Sequence, residues 1–78
     1  MELWIRSQDK TTLIRSYEIY ISEQPNIYLI RAKRTSHILG SYSTIERALE
    51  VLDEIQKLLK TAELNDGINV IVYQMPED

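Results

Sequence analysis

The sequence predicts an α+β fold: an antiparallel β-meander of about four strands, one amphipathic α-helix packed on one sheet face, and a C-terminal fifth strand. Three observations lead there. Residues 3–42 alternate apolar and polar positions at the two-residue period of a strand, with turn-forming residues between the runs. Residues 45–62 repeat apolar side chains at helical spacing. The last apolar run, INVIVYQM, is rich in β-branched residues and too short for another helix. All 78 residues form a single small globular domain, 1–78, near the lower size at which a chain buries enough surface to fold alone.

In the first strand, Leu3 and Ile5 alternate with Trp4 and Arg6, and the polar SQDKTT turns the chain back. The run LIRSYEIYIS reads as the second strand, with Leu13, Tyr17, Ile19 and Ile21 on one side and Ile14, Ser16, Glu18 and Tyr20 on the other. Arg15 interrupts the apolar side, which predicts a bulge or bend near it. EQPN ends this strand, because proline donates no ladder hydrogen bond and asparagine suits a turn. IYLIRAK, apolar on both faces at its start, is the third strand, and residues 33–36 turn it into HILGSY.

The helix starts at a capping-box spacing, Ser43 followed by Glu46, with Thr44 as a competing cap. Ile45, Ala48, Leu49, Leu52, Ile55 and Leu59 form its apolar stripe, widened by Val51, Leu58 and Ala62. Glu50, Glu54, Arg47 and Lys57 fall outside that stripe and are expected in solvent. Asn65, Asp66 and Gly67 stop the helix. Gly40 just ahead of the helix raises the question of a phosphate loop. Such a loop needs several glycines and usually a lysine, whereas this junction offers one glycine and an acidic Glu46, so it reads as architecture.

Composition excludes several classes of function. Without cysteine there is no disulfide framework, no thiolate nucleophile and no zinc site that needs sulfur ligands. No run approaches the ~20 apolar residues of a membrane-spanning helix, and MELWIRSQDK has no signal-peptide core. A soluble cytoplasmic protein is expected. The net charge of -3 is unevenly spread: residues 1–40 hold six cations against four carboxylates, residues 41–78 three against eight. The acidic half disfavours a general nucleic-acid footprint.

A single helix covers one sheet face and leaves the other to solvent or a partner. With Leu3, Ile5, Ile19, Ile21, Leu29, Val70 and Val72 assigned to the helix side, the open face would carry Trp4, Tyr20, Tyr28, Ile30, Ile71 and Tyr73. Two readings fit that patch. Tyrosine and tryptophan are amphipathic and lie comfortably under Arg and Lys stems. They are also the residue types of binding hot spots, with a symmetric homodimer as the default form.

Chemistry is sparse. His37, the sole histidine, stands beside Lys33 and Arg34 with no serine and acid placed to complete a triad. The helix carboxylates Glu46, Glu50, Asp53 and Glu54 resemble a solvated face more than a metal site. Neither an enzyme, a cofactor nor a small-molecule substrate is inferred. Arg31, Lys33, Arg34 and His37, interleaved with Tyr28 and Tyr42, give an alternative: a small platform for single-stranded nucleic acid.

MELWIRSQDK together with ILGSYSTIERALEVLDEIQ resembles a family of small uncharacterised proteins encoded by phages and prophages of Gram-positive bacteria. The resemblance covers a little over a third of the chain. It implies a cytoplasmic accessory protein that acts by binding a host or phage protein, and it brings no catalytic residues with it.

Overall fold

The structure, a computed structural model, describes residues 2–16, 18–65, 67 and 69–78. Six strands and one helix follow one another as β1 (Glu2–Arg6), β2 (Leu13–Arg15), β3 (Ile19–Gln24), β4 (Ile27–Ala32), β5 (Ile38–Tyr42), α1 (Ile45–Leu64) and β6 (Val70–Gln74). They make an α+β fold with two three-stranded sheets. Sheet A has the order β2-β1-β6, with β1 antiparallel to β2 and parallel to β6. Sheet B is the antiparallel meander β3-β4-β5. Among the described residues no helix is long and apolar enough to cross a membrane.

The stretch expected as one second strand is therefore two, in different sheets. Its division falls just after Arg15, where the sequence predicts a bend. The Ser16 N–H donates to the Leu3 carbonyl of sheet A at 3.1 Å, while the Glu18 carbonyl accepts from Lys33 N–H beside sheet B at 3.1 Å. Ser16 itself is buried, and its hydroxyl donates to the Glu18 carbonyl at 3.0 Å, which satisfies that buried hydroxyl. Tyr17, Asp66 and Ile68, each given a role from sequence, lie outside the described residues.

The β3–β4 turn is Pro25–Asn26, with Asn26 at φ 64°. Proline ahead of an asparagine in the left-handed region is the residue pair of a type II turn. At the helix start Thr44 is the cap, not Ser43: its hydroxyl accepts from the Arg47 N–H at 3.1 Å. At the far end Asn65 caps through its backbone N–H to the Ala62 carbonyl. Its side-chain amide also donates to the Thr61 carbonyl at 2.8 Å.

The core joins both sheets to the helix. Ile5, Ile30, Ala32, Leu39, Tyr42, Ala48, Val51, Ile55 and Met75 are its buried centre, with Leu3, Ile19, Ile21, Tyr28 and Tyr73 packed around them. The Ile, Leu, Val and Met side chains among them stabilise a fold by roughly 1.5–3 kcal/mol each when removed from water. The strand phases of β4 and β6 are opposite to those expected. Tyr28, Ile30 and Ala32 face the helix, and Leu29 lies buried on the other face between Ser22 and Ser41. In β6, Ile71 and Tyr73 sit beside Leu3 and Ile5 and face inward, and Val70 and Val72 face out. Leu49 of the predicted stripe is also exposed.

A register shift between Ile30 and Arg31 accommodates an extra residue in β5. This bulge at Leu39 lets both Leu39 and Tyr42 enter the core, which strict alternation would forbid. Tyr42 then reaches past Gly40, and its hydroxyl donates to the Pro76 carbonyl at 2.8 Å. Burial pushes the Tyr42 phenol up to about 12.

Sheets A and B are joined beyond the end of β1. The Gln8 N–H donates to the Leu39 carbonyl at 2.7 Å. Its side-chain amide accepts from the Ser41 N–H at 2.9 Å and donates to the Ser41 carbonyl at 3.1 Å and the Pro76 carbonyl at 3.2 Å. Residues 75–78 run along this junction: Arg47 donates to the Glu77 carbonyl, and the Ser43 N–H to the Asp78 carboxylate. The Arg47 guanidinium lies 6.0 Å from the Tyr42 ring centre, so a residue expected in solvent covers the core.

The β1–β2 loop is organised by Asp9. Its carboxylate accepts from the Ser7 hydroxyl at 2.6 Å, the Thr11 hydroxyl at 2.8 Å and the Thr11 N–H at 3.0 Å. These donors hold the Asp9 carboxyl down at about 2, with the Ser7 bond the main cause.

Two predictions follow from this architecture. A Cβ on Gly40 would stand 2.9 Å from the Tyr42 hydroxyl and 3.2 Å from the Met75 methyl. Gly40→Ala should cost about 1–3 kcal/mol in urea unfolding, with a less than additive loss when Tyr42→Phe is added. Asp9 has a folded pKa below its ordinary 3.8, so its contribution is present above that value and lost as pH falls towards about 2. Asp9→Ala should be less stable than the parent at neutral pH, and the gap should close over that acid interval in parallel melting curves.

Candidate interaction surface

The face of sheet A turned away from the helix presents Glu2, Trp4 and Arg6 of β1, Leu13 and Arg15 of β2, and Val70, Val72 and Gln74 of β6. The pairing aligns them in rows. Trp4 stands between Arg15 and Val72, Arg6 between Leu13 and Gln74, and Glu2 beside Val70. Leu13, Val70 and Val72 are 51%, 54% and 61% exposed. Around the half-buried Trp4 they form an apolar patch with charges at its corners.

Trp4 is held in place. Its indole N–H donates to one Glu2 carboxylate oxygen at 3.1 Å, and the other oxygen accepts from Arg15 at 3.1 Å. The indole bond, followed by the Arg15 bond, holds the Glu2 carboxyl below its usual range. A tryptophan fixed by a bridging carboxylate loses less side-chain freedom when a partner covers it.

Of the residues expected on an open face, the structure does not assemble the predicted patch. Trp4 is on the outer face of sheet A and Tyr20 on the outer face of sheet B. Ile30 is fully buried in the core, and Ile71 is buried too. Tyr28 packs against the core opposite Tyr42. Tyr73 packs there as well, and its hydroxyl donates to the carboxylate of Glu54, which is exposed as expected, at 2.5 Å. Burial and this carboxylate push the Tyr73 phenol upward. The patch that does form owes two residues, Val70 and Val72, to a strand phase opposite to the expected one. Leu13 joins them because β2 pairs with β1 in the register Arg6↔Leu13.

Arg31, Lys33, Arg34 and His37 lie on the single β4–β5 hairpin but in different settings. Arg31 is half-buried on the outer face of sheet B, between Tyr20 and Ile38. Lys33 pairs with Glu18 at 3.2 Å. Arg34 and His37 are exposed at the turn. A cleft of about 640 Å³ beside them gathers Arg15, Lys33 and Arg34 over Ile14 and Ala32. Two of its three cations already face a carboxylate, Glu2 or Glu18.

No protein-family model, curated protein or solved structure matches the chain.

Trp4 is the sole tryptophan, so its fluorescence reports on this face directly. Protonating Glu2 removes the negative charge that strengthens the indole and Arg15 bonds, and its lowered pKa puts that event below 4.5. Trp4 emission should change in an acid titration below that pH with the fold intact by circular dichroism. Glu2→Gln should remove the step.

Proposed function

We propose that this protein is a protein-interaction module and that its contact surface is the outer face of sheet A. The observation behind the reading is the patch of Trp4, Leu13, Val70 and Val72 on a sheet face with no helix over it. A small monomer seldom leaves contiguous apolar surface open without a use for it. Tryptophan and arginine, here Trp4 beside Arg15, are the residue types on which binding energy concentrates. The rim charges Glu2, Arg6 and Arg15 supply orientation rather than affinity.

In this reading the protein works in the cytoplasm as an accessory protein of the phage or prophage type, binding either a host or phage protein or another copy of itself. The absence of cysteine agrees with a reducing compartment.

Val72→Asp places a charge in the centre of the patch on an exposed position, so it should leave thermal stability within about 0.5 kcal/mol of the parent. Immobilised parent protein should retain a binding partner, its own free chain included, that Val72→Asp does not retain. Leu64→Asp, at a helix-end position 86% exposed, should behave like the parent. Equal retention by all three proteins would remove the surface from consideration.

A further inference from the structure

β6 is the outermost strand of sheet A. The bonds from Glu2 N–H to the Asn69 carbonyl and from Met75 N–H to the Arg6 carbonyl fix its phase against β1. Residues 71 and 73 therefore turn their backbone groups towards β1, and Val70, Val72 and Gln74 turn theirs outward. Natural edge strands are kept from pairing by shortness, charge, proline or a bulge. β6 has five residues, VIVYQ, with no charged residue and no proline, and its register with β1 is unbroken.

We propose that β6 pairs with β6 of a second copy, antiparallel, about a two-fold axis at Val72. This deepens the reading above, since it rests on the same face and names its occupant. The two sheets join into one of six strands, β2-β1-β6 continued by β6-β1-β2 of the second copy. Val72 then meets Val72, and Val70 meets Gln74, so the outward N–H and C=O groups of all three residues are bonded reciprocally. The outer face acquires a central apolar row in which the two Val72 side chains lie between the two Trp4 rings. Charge agrees with this orientation. Glu2 flanks Val70 and Arg6 flanks Gln74, so the acidic corner of each copy lies in the same cross-strand row as the basic corner of the other. Each copy has one such edge, so the pairing closes at a dimer.

Sedimentation equilibrium from low micromolar to near-millimolar protein, combined with amide hydrogen exchange at both ends of that range, tests the proposal. A monomer–dimer equilibrium is expected, with the Val70, Val72 and Gln74 amides exchanging freely when dilute and slowly when concentrated. The Ile71 and Tyr73 amides, bonded to β1, should be protected throughout. Val72→Pro removes an outward N–H and no bond within sheet A. It should weaken dimerisation roughly thirtyfold, from the two hydrogen bonds lost between two such chains. Val72→Lys, which places a charge on the edge without a change in the backbone, should weaken it too, so the test does not depend on the proline variant folding. A strict monomer at near-millimolar concentration overturns the proposal, and so does a dimer in which those three amides still exchange freely. In either case, Val72-dependent retention of another protein would leave the contact-surface reading standing, and its absence would end both.

Discussion

The side-chain amide of Gln8 is the contact on which the relation between the two sheets depends. Sheets A and B share no continuous ladder, and Gln8 supplies what a neighbouring strand would: an acceptor for the Ser41 N–H and a donor for the Ser41 carbonyl. Its reach to the Pro76 carbonyl, which Tyr42 also bonds, ties the residues after β6 to the same point. Such bonds contribute about 1 kcal/mol each when made, and a buried group left without a partner costs about 1–3 kcal/mol. The Asp9 loop sits just beyond and fixes the backbone from which Gln8 extends. Without that junction the core would lose the alignment that brings Ile5 of one sheet against Ile30 and Leu39 of the other.

The same contact accounts for the difference among the edges of the molecule. The edge of β5 is closed by Gln8. β2 is only three residues long, and β3 ends in Ser22, Glu23 and Gln24 ahead of Pro25. Each of these is an ordinary way of discouraging further strands. β6 has none of them, and Trp4, braced by Glu2 and Arg15, lies directly beside it.

Much of the fold was legible in the sequence because it is encoded locally. The helix follows from a 3.6-residue repeat with a cap and a stop, and the Pro25–Asn26 turn from the backbone preferences of its residues; the charge of Arg15 in an apolar run marked a bend, but not that the chain there leaves one sheet for the other. The faces of β4 and β6 were not legible, and with them most of the candidate surface. IYLI and VIVY are apolar in both phases, so alternation is silent, and a one-residue change of phase exchanges every inward and outward side chain. What sets the phase of β6 is its parallel pairing with β1, a contact between distant parts of the sequence. The bulge at Leu39 is equally silent: ILGSY does not say that both Leu39 and Tyr42 turn inward. Thr44 rather than Ser43 is the cap, and the Ser43 N–H, which Glu46 would bond in a capping box, is bonded by Asp78, again a distant residue.

That parallel pairing also has the longest sequence separation of any strand pairing in the fold. The hairpins of sheet B and the helix need only near neighbours, whereas β1 and β6 must close a loop containing almost everything between them, and chain entropy makes such closures slow. Sheet A is therefore complete only when residues from far apart in the sequence have been brought together. The free edge and the apolar row beside it do not exist in a chain that lacks this last strand. Any association through them is selective for finished molecules, and partly folded ones have nothing to offer it.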